Sequence, residues 1–135
     1  MMFHVSYPLR FAHCDPAGIA YYPRYFELCD AAIEDWCAQR LAFSRRRMHL
    51  DLGLGMPTVD LHASFARPSR LGDLLDISVA VTRVGTSSVD LMLEIRCGAE
   101  PRFTVAYTQV LMDLSTNRSV PWPPELRQSL VEECK

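Results

Sequence analysis

The chain has 135 residues, 49% of them hydrophobic and 22% charged, with a formal net charge of −2. That size suits one core, and a near-neutral balance supplies no broad positive field for nucleic acid. No apolar run reaches bilayer-spanning length and no low-complexity tract marks disorder, so a cytoplasmic globular protein with no nucleic acid and no membrane as partners is expected.

Phe3, Val5, Tyr7, Leu9 and Phe11 alternate with more polar residues, the period of a strand with one face on a core. After a loop from His13 to Tyr22, Pro23 fits the first helical position, and Phe26, Cys29, Ile33, Trp36 and Cys37 keep helical spacing to about Leu41. A short second helix is predicted within Phe43 to Leu52, ended by Gly53 and Gly55. Val59, Leu61, Ala63 and Phe65 then return to period two, predicting a strand with one buried face. Two further runs, Leu75 to Val81 and Val89 to Ile95, flank Gly85 and Thr86 as a hairpin. Phe103 to Leu114 is apolar on both sides and is expected to be a central strand covered on both faces. Pro121, Pro123 and Pro124 precede a terminal helix over Glu125 to Cys134.

One early helix followed by an antiparallel meander cannot alternate as parallel units do, so the helix packs on one face of one sheet. The reading is α+β, one domain over residues 1–135, without repeats. Five cysteines, Cys14, Cys29, Cys37, Cys97 and Cys134, are an odd set without a CxxC pair, which argues for reduced thiols. Cys29 and Cys37 share the helical face with Ile33 and Trp36 and read as core.

The loop Phe11-Ala12-His13-Cys14-Asp15-Pro16-Ala17-Gly18-Ile19-Ala20-Tyr21-Tyr22 carries a carboxylate at its centre. Asp-Pro-Ala-Gly is ordinary turn chemistry, and an aspartate there commonly bonds local backbone. A helix N-terminus, however, offers unpaired N–H groups and partial positive charge, the parts that acyl transfer needs beside a carboxylate. Cys14 is a poor nucleophile candidate, since the adjacent Asp15 carboxylate repels a thiolate.

The run Cys14-Asp15-Pro16-Ala17-Gly18-Ile19, followed by aromatics, Pro23 and Tyr25, resembles the signature of the 4-hydroxybenzoyl-CoA thioesterase family. The order of elements and the Pro57 to Phe65 segment resemble that family as well. The resemblance implies a hotdog fold, a long helix wrapped by an antiparallel sheet of five to six strands. It also implies a homodimer or homotetramer with active sites at the subunit interface. The implied reaction is hydrolysis of an acyl-CoA, aryl such as benzoyl or hydroxybenzoyl, or short-chain. Asp15 resembles the family carboxylate that attacks the carbonyl or activates water. The Tyr22 backbone N–H resembles the oxyanion donor, because Pro23 has none to offer.

Around this centre, Gly18 either lets the backbone approach substrate or simply makes the turn. His13 is a candidate to orient Asp15 or water, and His62 to line the acyl pocket rather than face solvent. Tyr25, with Tyr21, Tyr22 and Phe26, supplies an aromatic pocket, core or interface. Arg83, with Arg67 and Arg70, is a candidate for the CoA phosphates. The stretch Arg83-Val84-Gly85-Thr86 departs from the basic cluster of the Pseudomonas-type branch. Arg45, Arg46 and Arg47 read as a solvated helix face or a further phosphate contact. His4, His13, His49 and His62 lack ligand spacing, so no metal is expected, and no cofactor beyond the CoA of the substrate. Two competing expectations are a hotdog hydratase or dehydratase, which pairs an Asp with a nearby His, and a noncatalytic acyl-CoA-binding protein, which would lack the carboxylate.

Overall fold

Alternation and helical spacing are both realised in the computed structural model, which describes residues 2–135. The elements in order are β1 (Phe3–Pro8), α1 (Pro23–Arg40), β2 (Leu54–Gly55), β3 (Thr58–Phe65), β4 (Leu74–Val84), β5 (Ser88–Cys97), β6 (Glu100–Val110), β7 (Met112–Asp113), β8 (Arg118–Ser119) and α2 (Pro124–Glu133). Five strands form one antiparallel sheet in the order β1-β4-β5-β6-β3, and β2, β7 and β8 form a small second sheet.

Helix α1 buries Tyr25, Leu28, Cys29, Ala32, Ile33, Trp36 and Cys37, a spacing of three and one that makes a single stripe. The stripe meets one face of the sheet, made by Ile77 and Val79 of β4, Leu91 and Leu93 of β5, and Phe103 and Val105 of β6, all at most 2% exposed. Burial pushes the Cys29 and Cys37 thiols up to about 12, as expected of thiols that serve as packing. Trp122, Leu126 and Leu130 close the core under α2.

Four expectations change. Strand β1 stops at Pro8, and Phe11 lies beyond it, 80% exposed in a 3₁₀ turn. The second helix shrinks to a π-helical turn over Arg47–Asp51. Strand β6 is fourth in the sheet, not central, and its burial alternates; β5 holds the centre because it pairs with both hairpin neighbours. Strand β3 has no buried face: Val59, Leu61 and Phe65 are 59%, 45% and 52% exposed. Leu61, Ala63 and Phe65 do lie on the helix side, opposite Tyr107, Val105 and Phe103, but β3 is an edge strand that α1 covers only in part, through Tyr25 on the Phe65 ring.

The start of β4 and the end of β3 share one end of the sheet with the N-terminus of α1, where Tyr22 and Tyr25 contact the Phe65 ring. The start of β3 and the end of β4 share the other. Trp36 is fully buried and its indole N–H donates to Glu133 Oε1 at 2.8 Å, joining α1 to α2. Trp36→Ala is expected to lower unfolding free energy by about 3–5 kcal/mol, read from urea denaturation, since cavity and transfer losses add.

Candidate active site

The chain leaves β1 by pairing with the approach to β4: the Leu9 N–H donates to Asp73 O at 2.8 Å and the Gly72 N–H to Leu9 O at 2.9 Å. A 3₁₀ turn over Phe11–His13 follows, and His13 Nδ1 accepts the Arg10 N–H at 2.9 Å. That bond closes the turn and ties the His13 ring to Arg10. The next residues make a narrow hairpin in which the Asp15 N–H donates to Ile19 O at 2.9 Å and the Tyr21 N–H to His13 O at 2.9 Å. Its tip is Asp15-Pro16-Ala17-Gly18, closed by the Gly18 N–H on Asp15 O at 3.0 Å. Gly18 has φ +78°, and a Cβ there would meet nothing within 4 Å, so conformation rather than crowding calls for glycine.

Asp15 Oδ1 accepts the Ala17 N–H at 2.8 Å, the local turn bond that its sequence context favours. Its Oδ2 has no hydrogen-bond partner among the described residues. Half-buried, the carboxylate lines an open cleft of about 420 Å³ with Phe11, Cys14, Pro16, Gly18 and Leu71. At 80% and 51% exposed, Phe11 and Leu71 give this cleft an apolar rim.

At the helix entrance the donors are nearly all engaged. The Tyr21 N–H goes to His13 O, the Arg24 N–H to Tyr21 O at 2.8 Å and the Tyr25 N–H to Tyr22 O at 3.2 Å, while Pro23 has none. The Tyr22 N–H alone among these meets no acceptor among the described residues. It is a free donor at the positive end of an 18-residue helix.

A buried polar network holds loop and helix together. The Tyr25 hydroxyl donates to Ser69 Oγ at 2.9 Å, Arg102 Nη1 donates to Asp73 Oδ2 at 2.8 Å and to Ser69 Oγ at 3.1 Å, and the Ala20 N–H donates to Ser69 O at 2.8 Å. Tyr25 is 3% exposed and its ring stacks on Phe103 at 5.0 Å, so it belongs to the core and not to the cleft. The backbone N–H of Arg70, and then the Arg102 guanidinium, hold the Asp73 carboxyl below its usual range.

The remaining candidates lie elsewhere. His62 is exposed on the sheet face away from α1, opposite Ala106. Arg83 is exposed near the far end of β4, about 30 Å along the strand from Leu74. Arg45 holds Asp30 with both terminal nitrogens, at 2.7 and 2.8 Å. Among the described residues no group of three or more His, Cys, Asp and Glu is placed to hold a metal ion, and no helix is long and apolar enough to cross a membrane.

A second cavity of about 360 Å³ lies between the later turns of α1 and the residues that flank β3 and β6, lined by Ile33, Cys37, Met48, Met56, Gln109 and Met112 among others. Sequence reasoning missed it. The available signal was Gln109, a polar residue in a period-two series, Phe103, Val105, Tyr107, that is otherwise apolar.

A long helix against an antiparallel sheet, entered through a carboxylate loop that leaves a free N–H at its start, defines a hotdog-fold thioesterase. The chain belongs to the thioesterase-like superfamily, whose family model matches residues 9–130. It is 29% identical over 119 residues to a 1,4-dihydroxy-2-naphthoyl-CoA hydrolase of Thermosynechococcus vestitus, covering 87% of this chain and 81% of that protein. It is 31% identical over 74 residues to the 4-hydroxybenzoyl-CoA thioesterase of Pseudomonas sp. strain CBS-3, covering 54% and 52%. A crystal structure of a thioesterase superfamily protein from Jannaschia sp. CCS1 superposes with a TM-score of 0.91 at 25% identity, covering 99% and 94%.

The depressed Asp73 pKa carries a stability prediction. A carboxyl whose native pKa lies below its unfolded value stabilises above the unfolded pKa, about 4, and loses that contribution as pH falls through the native value. Melting temperatures of the wild type and Asp73→Asn between pH 2 and 7 should therefore differ most near neutrality and converge under acid.

Proposed function

We propose that this protein hydrolyses an aromatic acyl-CoA, with Asp15 as the catalytic carboxylate and the Tyr22 N–H as the oxyanion donor. The observation that carries this is the unpaired N–H at the start of α1, beside a loop whose carboxylate keeps one oxygen free. The thioester carbonyl polarises on the N–H, and Asp15 acts from one of two roles. As nucleophile it forms a mixed anhydride, CoA thiolate leaves, and water then cleaves the anhydride. As general base it takes a proton from the attacking water. Trapping with hydroxylamine during turnover separates them, because only the first route forms an enzyme-bound anhydride, whose Asp15 carbonyl is converted to a hydroxamate. Either way the reaction is redox-neutral and its other substrate is water, so no cofactor is invoked. The two relatives named above act, by name, on naphthoyl and benzoyl thioesters, which favours an aromatic acyl group here.

The working unit in this reading is a homodimer, itself able to pair into a tetramer. Asp15 and the free N–H sit at one end of the sheet, while the second cavity and Arg83 sit at the other. Ile33 is about 15 Å along α1 from Pro23, too far for one acyl group to bridge within a chain. Strand β3 offers an unpaired edge of eight residues with Leu61 and Phe65 exposed, a surface that a second copy covers. Antiparallel pairing of β3 with its twofold mate sets Thr58 of one chain beside the Phe65 end of the other, and so brings one chain's loop to its partner's cavity. Gly18 and His13 shape the loop in this arrangement, and Arg83 comes within range of the CoA phosphates. His62 lies near the β3 seam. The free thiols fit a reducing, cytoplasmic setting.

Asp15→Asn preserves the acceptor for Ala17 while removing the carboxylate, so the loop should persist. Thiol release from benzoyl-CoA should fall by roughly three orders of magnitude with the melting temperature unchanged, and an active variant would refute the assignment. For the assembly, light scattering should give at least twice 15.3 kDa for the wild type. Leu61→Lys should shift it toward the monomer and lose activity in parallel; a fully active wild-type monomer would end the dimer reading.

A further inference from the structure

The second cavity has a wall rich in sulfur, with Met48, Met56, Met112 and Cys37, and sulfur contacts favour aromatic rings. Its polar groups are nearly all accounted for. Both Asp30 oxygens are held by Arg45, and the Thr58 hydroxyl is engaged by Gln109 Nε2 at 3.1 Å. The exceptions are His49, which is exposed, and the buried Gln109. Its side chain is 3% exposed, and its amide oxygen has no hydrogen-bond partner among the described residues. An unpaired buried amide oxygen is costly, and an apolar residue of equal size would fit the surrounding pattern.

We propose that Gln109 is a specificity-determining residue, whose amide takes a hydrogen bond from a hydroxyl on the acyl group lodged in this cavity. This rests on the thioesterase and dimer readings above, which bring a partner's loop to the cavity. A hydroxyl suits this group whichever way the amide is turned, because it donates to the oxygen or accepts from the NH₂. The terminal torsion of glutamine is soft, so the amide rotates toward an incoming ring at little cost. An acyl group without a hydroxyl offers the amide oxygen no hydrogen bond.

The test compares kcat/KM for benzoyl-CoA with its 2-, 3- and 4-hydroxy isomers, in the wild type and in Gln109→Met. The wild type should prefer at least one hydroxy isomer. Methionine should reduce kcat/KM for that isomer by roughly ten- to a hundredfold more than for benzoyl-CoA. The melting temperature should hold or rise, because the substitution removes an unpaired polar group and Thr58, exposed, turns to water. A wild type that hydrolyses benzoyl-CoA but prefers no hydroxy isomer overturns the role of Gln109 and leaves the thioesterase reading intact, even without a folded variant. Equal losses on all four esters in Gln109→Met also overturn it. A wild type that releases CoA from no thioester overturns the thioesterase reading, and this proposal with it.

Discussion

Burial of one stripe of α1 against the sheet sets the position of everything that bears chemistry. The stripe from Tyr25 to Cys37 fixes the axial position of the helix, and hence the point at which its free N–H emerges. Because Pro23 cannot donate and the next two amides turn back on Tyr21 and Tyr22, the vacancy falls on one residue. Packing thus selects which backbone donor is left without an acceptor, and no side chain is required for it.

The loop that carries Asp15 is positioned by a different kind of force. Its hairpin is closed by short-range bonds and held to the approach to β4 by the Leu71 N–H, which donates to Gly18 O at 3.0 Å. The anchor is Ser69, whose backbone carbonyl holds Ala20 and whose hydroxyl meets both Tyr25 and Arg102. Fully buried, this serine places the loop, the helix entrance and the approach to β4 in one hydrogen-bonded unit. Such a unit suits a site whose geometry must be set before substrate arrives.

Charge and polarity are distributed unevenly between the two ends of the sheet. One end presents a carboxylate in an open cleft and, at the helix start, a free backbone donor, and the other a second cavity with an unpaired amide. Strand β3 links them as an edge that keeps apolar side chains in water, a condition that natural proteins relieve by covering or pairing the strand. In the proposed dimer, twofold pairing along that edge would relieve the exposure and unite the two ends.

Period-two runs in β4 and β5 and the three-one stripe of α1 were legible because each reflects a local geometry that every residue repeats. The Asp-Pro-Ala-Gly turn was legible for the same reason, as was the lack of an N–H at Pro23. Long-range packing decided the rest. Tyr25 belongs to the core because Phe103 and Ser69 come from β6 and the β3–β4 loop, over 40 positions away in sequence. His62 faces away from the helix because strand register assigns the face, and Arg83 is remote because it lies near the far end of β4, beyond a register shift after Val81. Above all, the alternation in β3 announces an apolar face but not what covers it, since a pattern records the need for burial and only the assembled sheet shows whether its own helix reaches that far.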